Sequence, residues 1–201
     1  MSSRGVPLLL VLLSLLSGCA SVTLRDVWAD PAARDARPQK VIVGAVMPES
    51  FSIQIAEDEL GRRVGAPEVV PAYRVLSPEQ RKDREAAKAR IRELGFDGVV
   101  VLRVLSDEKE LDYVPGTTYP ASHFSYGTYH SWYYTGYADP GYYRTVRTLR
   151  CAVHVYSVRE DKLLFAAITE SVNPDDTKQF TAAIAELAAR EARRLGFGVL
   201  R

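Results

Sequence analysis

Hydrophobic positions along the chain fall into runs of distinct period. Lys40–Val46 (KVIVGAV) is short, β-branched and nearly continuous, which predicts a buried strand ended by Pro48. Ile53, Ala56, Leu60 and Val64 then recur at three- and four-residue spacing, the signature of one helical face. Asp58/Arg62 and Glu59/Arg63 are spaced for i,i+4 pairs outside that face, and Gly65 is placed to end the helix. Val69, Val70, Tyr73 and Val75 predict a strand within 68–76, but Pro71 cannot donate to a ladder, so an edge or broken strand is expected. Ser77-Pro78-Glu79-Gln80 supplies the N-cap, first-turn proline and glutamine of a capping box, so a second helix starts there. Ala87, Ile91 and Leu94 form its stripe, and Gly95 stops it. The run 99–105 (VVVLRVL) predicts a central strand covered on both faces.

Alternation returns at 145–158, with Leu149, Cys151, Val153 and Val155 on one face and Arg150, His154 and Tyr156 on the other. A polar turn at 159–162 leads to a second strand at 163–172, and the pair reads as an antiparallel hairpin. Asn173-Pro174-Asp175-Asp176 precedes a final helix whose stripe is Phe180, Ile184, Ala188, Ala192 and Leu195, with Gly196 after it. The order β-α-β-α-β-β-β-α predicts an α/β (α+β) fold. A single mixed sheet over 40–198 follows, because helical crossovers favour parallel pairing early and the short turn enforces antiparallel pairing late.

The amino terminus is different. After Arg4, residues 6–16 form an apolar run of eleven, about half of what a bilayer span needs, and small Ser17 and Gly18 lead to Cys19. Leu16-Ser17-Gly18-Cys19 resembles the lipobox of bacterial lipoproteins. The resemblance implies removal of a signal at 1–18 and lipid on Cys19, a diacylglycerol thioether and an amide-linked acyl chain such as palmitate. Two or more chains anchor stably, so the bilayer would be a partner through Cys19. Ala20 in place of Asp is similar to sorting patterns for the outer membrane, with the domain on the periplasmic face. The stretch 20–39, rich in Ala, Asp, Arg and Pro, reads with Cys19 as a tether over 19–39, whose twenty residues reach roughly 65 Å when extended.

Within the domain, Glu93-Leu94-Gly95-Phe96-Asp97-Gly98-Val99-Val100 precedes a strand, and Asp161-Lys162-Leu163-Leu164-Phe165 follows a hairpin turn. Together these resemble the small α/β domain at the amino terminus of TolB and in several bacterial envelope lipoproteins. The resemblance implies fold and hardly touches function. No β-propeller follows, so the roles of TolB are not inherited.

A long insertion at 112–144 departs from that pattern. Between Tyr113 and Tyr143 lie nine of the eleven tyrosines, with Phe124, Trp132, His123 and His130, and the only charged side chain in that interval is Asp139. Its glycines and prolines argue against a continuous strand or helix there. Full exposure of so much aromatic surface far exceeds the few hundred Å² usual for a soluble patch, so part of it needs cover. Self-packing is one cover, a protein or glycan partner is a second and lipid headgroups are a third, which makes Tyr126, Tyr129, Trp132, Tyr133, Tyr134 and Tyr137 the candidate interaction surface.

Charge narrows the classes further. The chain has 26 Lys+Arg against 25 Asp+Glu, and after the signal the two signs balance, which disfavours a nucleic-acid partner. Two cysteines exclude a disulfide scaffold or a multi-Cys metal site. His123 and His130, with Asp139, lack a third partner at metal-site spacing, so no metal is expected. Cys151 lies on the apolar parity of its strand and reads as a buried thiol, and His154 as a sheet residue. Glu57-Asp58-Glu59 reads as a solvated helix face. No nucleophile elbow, phosphate loop or dinucleotide fingerprint occurs, so no catalytic residue and no cofactor beyond the covalent lipid are expected. The expected function is a non-catalytic, membrane-anchored envelope scaffold or accessory that binds another envelope protein. The alternative is a small-ligand or glycan-binding module using the aromatic loop, and third comes an enzyme built on His123, His130 and Asp139.

Overall fold

The computed structural model describes residues 22–34, 36–116 and 140–201. The chain divides into a larger unit, Met1–Asp107 with Thr148–Arg201, and a smaller one, Glu108–Arg147. Among the described residues the strands are β1 (Val22–Ala29), β2 (Lys40–Val46), β3 (Glu68–Pro71), β4 (Gly98–Val114), β5 (Tyr142–Ser157) and β6 (Lys162–Val172). The α-helices are α1 (Ile53–Gly61), α2 (Pro78–Lys82), α3 (Arg84–Glu93) and α4 (Thr177–Arg194). One open mixed sheet runs β1-β6-β5-β4-β2-β3. β2 is parallel to β3 and β4, and β6 is antiparallel to β5 and β1.

Alternation sorts the strand residues onto two faces. On one, Val41, Val43, Val100, Leu102, Cys151, Val153, Phe165 and Ala167 meet Leu60 of α1 and Phe180, Ile184, Ala188 and Ala192 of α4. Phe51 stacks on Phe180 at 5.3 Å, and Phe165 on Phe197 at 5.6 Å. On the other face Ile42, Ala72, Leu76 and Phe96 form a smaller cluster capped by Ala87, Ile91 and Leu94. Cover of β4 on this second face is incomplete, since Val99 and Val101 are only half-buried.

Several expectations change. The stretch 20–39 is not a free tether: Val22–Ala29 pairs with β6 from Val22↔Ser171 to Ala29↔Phe165, with a register shift between Leu24 and Asp26. Val22, Leu24, Val27 and Ala29 pack against the core and Ala33 is buried in it, while Trp28 remains 47% exposed. Among the described residues the sheet therefore includes Val22–Ala29, a sixth strand ahead of the five expected. Glu170 holds this edge, accepting from Arg25 of β1 at 2.5 Å and Arg150 of β5 at 3.1 Å. Those two hydrogen bonds keep its carboxyl below the ordinary range.

Helix α1 stops at Gly61, a turn before Gly65, because the following residues bridge to the carboxyl terminus: Val64 pairs with Leu200, and Gly65 N donates to Val199 O at 2.8 Å. The expected i,i+4 pairs do not form. Glu59 pairs with Arg62, Asp58 with Arg74 at 3.5 Å, and Arg63 with Glu186 at 2.7 Å. The capping box at Ser77 and Gln80 forms as expected, but the helix it opens is split. Asp83 leaves helical dihedrals, and its side chain accepts from Glu85 N and Ala86 N, starting α3 afresh. Pro71 closes β3 as an edge strand, as the sequence predicts, and a 3-10 turn at Ala72–Arg74 follows.

In the smaller unit β4 continues to Val114 and β5 begins at Tyr142, so both rims of the aromatic insertion are strand, not irregular chain. Arg144 donates to Asp112 at 2.8 Å, and the rings of Tyr113 and Tyr143 lie 5.1 Å apart. Gly141 takes φ +71°, where an added Cβ would meet Val114 O at 2.8 Å. That position needs glycine.

Candidate functional site: an apolar cavity with a buried ion pair

Strands β2 and β3 are parallel neighbours whose following connections diverge. The chain leaving β2 forms α1 on the main-core face, and the chain leaving β3 forms α2 and α3 on the other. Open α/β sheets commonly take ligands beside such a divergence. Here a cavity of about 460 Å³ lies over β2 and the first residues of β4, on the face that α2 and α3 cover. Ile42, Gly44 and Val46 of β2 and Val99 and Val101 of β4 make its floor. Leu76, Ala87 and Ile91 close it from the helical side, and Met47, Ile53, Pro78 and Lys82 border the rest.

Three charged residues stand in this apolar wall, Glu57, Arg81 and Lys82, and the first two are paired. Glu57 of α1 is fully buried, and Arg81 of α2 keeps a quarter of its side-chain exposure. Arg81 donates through Nη2 to Glu57 Oε1 at 2.5 Å. The same carboxylate accepts from Ala45 N at 3.2 Å, near the end of β2, and from Tyr73 N at 2.8 Å, just after β3. Glu57 thus ties together the ends of both strands and the helix across from its own. Burial pushes its carboxyl above the ordinary range, against the pull of the Tyr73 N–H, the Arg81 charge and the Ala45 N–H. Arg81 has a further buried donor, Nε, with no acceptor. An unpaired buried donor costs about 1–3 kcal/mol.

No family model matches the chain and no curated protein matches it. Among solved structures it is similar to the PelC dodecamer from Paraburkholderia phytofirmans, with 14% identity, a TM-score of 0.44, and cover of 90% of this chain and 99% of that one. It is also similar to the hypothetical protein CT253 from Chlamydia trachomatis, with 13% identity, a TM-score of 0.37, and cover of 79% and 97%. Lipoprotein GNA1162 from Neisseria meningitidis gives 11% identity, a TM-score of 0.42, and cover of 78% and 99%. Likenesses at this level identify neither a family nor an activity.

From the sequence, Glu57-Asp58-Glu59 reads as a solvated helix face. The structure corrects this: Glu57 and Glu59 are both buried and Glu57 borders a pocket. A signal was present, since Glu57 lies four residues after Ile53 and three before Leu60, in phase with the apolar stripe. Arg81 carried no such mark.

Cys151 is a buried thiol as expected, and burial pushes its pKa up to about 12, far from a reactive thiolate at neutral pH. His154 is half-buried beside Tyr156, its ring centroid 5.8 Å away. Burial, with help from the Arg103 charge, keeps its imidazole below the ordinary value. Cys19, Tyr126, Tyr129, Trp132, Tyr133, Tyr134 and Tyr137 lie outside the described residues, as do His123, His130 and Asp139. Among the described residues no three His, Cys, Asp or Glu side chains converge on a metal position, and no helix is long and apolar enough to cross a membrane.

Proposed function

We propose that the chain is a lipid-anchored envelope protein whose α/β domain has a non-catalytic binding role at the periplasmic face of the outer membrane. The observation that carries this reading is Leu16-Ser17-Gly18-Cys19 at the end of an eleven-residue apolar run. Because β1 begins at Val22, three residues after Cys19, the span between lipid and domain is at most about 10 Å, in place of the 65 Å of a long tether. The domain would work against the headgroups. An envelope protein reached through the aromatic insertion is the partner this reading favours, with no nucleic acid and no cofactor beyond the lipid.

Mass spectrometry of the mature amino-terminal peptide, with fractionation of the Cys19→Ser chain, tests the anchor. Acyl mass on Cys19 in the outer-membrane fraction, lost in Cys19→Ser, is the expected result. An unmodified Cys19 in an uncleaved chain overturns it.

A second reading, a small-ligand module, is favoured by a different observation from the aromatic loop that first suggested it. The cavity over β2 and the start of β4 falls within the range of about 300–1,000 Å³ for small-molecule sites, and it holds a few convergent polar groups in an apolar wall.

A further inference from the structure

We propose that this cavity binds a single-chain amphiphile, whose apolar body lies along β2 and whose head-group oxygen is taken by Arg81. The inference rests on the small-ligand reading and is independent of the lipid anchor.

Three observations specify the occupant. First, the floor is a slot. It follows β2 from Ile42, paired with Val99, to Val46, paired with Arg103, and four residues of strand extend about 13 Å. Midway, Gly44 leaves the floor bare, for a Cβ there would meet only Ala72 Cβ at 3.9 Å and Val101 Cγ2 at 4.0 Å. A chain-shaped body fits such a slot better than a compact one. Second, a volume of about 460 Å³ is in the lower half of the usual range of about 300–1,000 Å³, which favours one chain over two. Third, the head group is set by the donors. Two cations, Arg81 and Lys82, line the cavity against one carboxylate, Glu57, which takes Nη2 of Arg81. A carboxylate, ester or hydroxyl oxygen supplies the acceptor that this excess of donors calls for. An alkylammonium, itself a cation and a donor, does not.

A free fatty acid and an acyl ester of a membrane lipid share this chemistry, and the test separates them. The full chain is placed in lipid nanodiscs and irradiated with diazirine-bearing palmitic acid, or with phosphatidylglycerol carrying the same diazirine chain, and the labelled peptides are mapped. Label concentrated on peptides holding Gly44, Leu76, Ile91 and Val101 is the expected result; the acid probe alone labelling assigns a free acid, and the phospholipid labelling assigns a bilayer chain. Gly44→Val, which fills the floor in a residue type suited to strands, should abolish that label while the circular-dichroism melt is retained. Arg81→Gln should lower it about tenfold, the loss of one hydrogen bond to a charged group. Should Arg81→Gln fail to fold, diazirine-bearing hexadecylamine on the unaltered chain decides the head group, and it should label these peptides no more than the rest of the surface. Label spread evenly over the chain, or undiminished in a folded Gly44→Val, overturns the site. Equal labelling by the amine or by a diazirine-bearing alkane overturns the amphiphile while leaving a small-ligand cavity.

Discussion

At the scale of single residues, Glu57 and Arg81 show how strongly burial changes the meaning of a charge. A carboxylate with a cation and two N–H donors would ordinarily titrate low, yet burial wins and its pKa lies above the usual value. The folded state therefore binds the Glu57 proton more tightly than the unfolded state does. Stability from this group is greatest below the unfolded carboxyl pKa, near 4.3, and falls as pH rises from there through the raised folded value. Replacing Arg81 by Met removes the cation and raises the folded pKa further. Arg81→Met should then cost about 3 kcal/mol at pH 7, the low end for a broken buried pair because Arg81 is a quarter exposed. Urea melts should show that difference shrinking on acidification, since a protonated Glu57 needs no cation. A difference independent of pH would mean that the pair does not couple Arg81 to the Glu57 charge.

Among the elements, the turn between α3 and β4 explains a motif that the sequence shows only as letters. Gly95 takes φ +73° to end the helix, and the Asp97 side chain accepts from Gln39 N and Lys40 N, both at 2.9 Å. Its backbone O accepts from Val158 N at 3.0 Å. Asp97 thus aligns the starts of β2, β4 and the end of β5. A Cβ on neighbouring Gly98 would lie 3.0 Å from both Pro38 Cβ and Val41 Cγ2, tighter than packing allows. Asp97→Ala is expected to cost about 1–3 kcal/mol in denaturant unfolding, by leaving two N–H groups without their acceptor. Asp97→Asn, with one acceptor oxygen, should lose less. Strand and helix positions were legible here because each carries its own local mark: a capping box, a β-branched run, a glycine stop. The split at Asp83 was not, because the same Asp suits a first-turn helix surface or a fresh N-cap, and only the packed chain chooses.

For the whole molecule, the part hidden from the sequence is what crosses between distant segments. Glu57 was misread because its surroundings are made by α1 and α2 meeting over the ends of two strands, a consequence of topology and not of neighbours in sequence. Strand β1 was hidden for a more local reason. In VTLRDVWA the inward residues are Val22, Leu24, Val27 and Ala29, and the register shift between Leu24 and Asp26 inserts one residue and breaks the period of two. On that account the sequence reads as a tether, and the two descriptions make opposite predictions. If residues 22–29 were a tether, removing them would leave the domain's stability unchanged. As an edge strand they cover β6 and pack four apolar side chains, worth on the order of 4–8 kcal/mol at roughly 1–2 each for half-buried groups. Deleting 22–29 should lower the melting temperature sharply and expose the backbone edge of β6 to association between chains. Leu24→Asp in the full-length chain should reproduce much of the stability loss with the edge still present. Thermal melts and light scattering on both variants check this, and a deletion that melts like the parent would return the segment to the status of a linker.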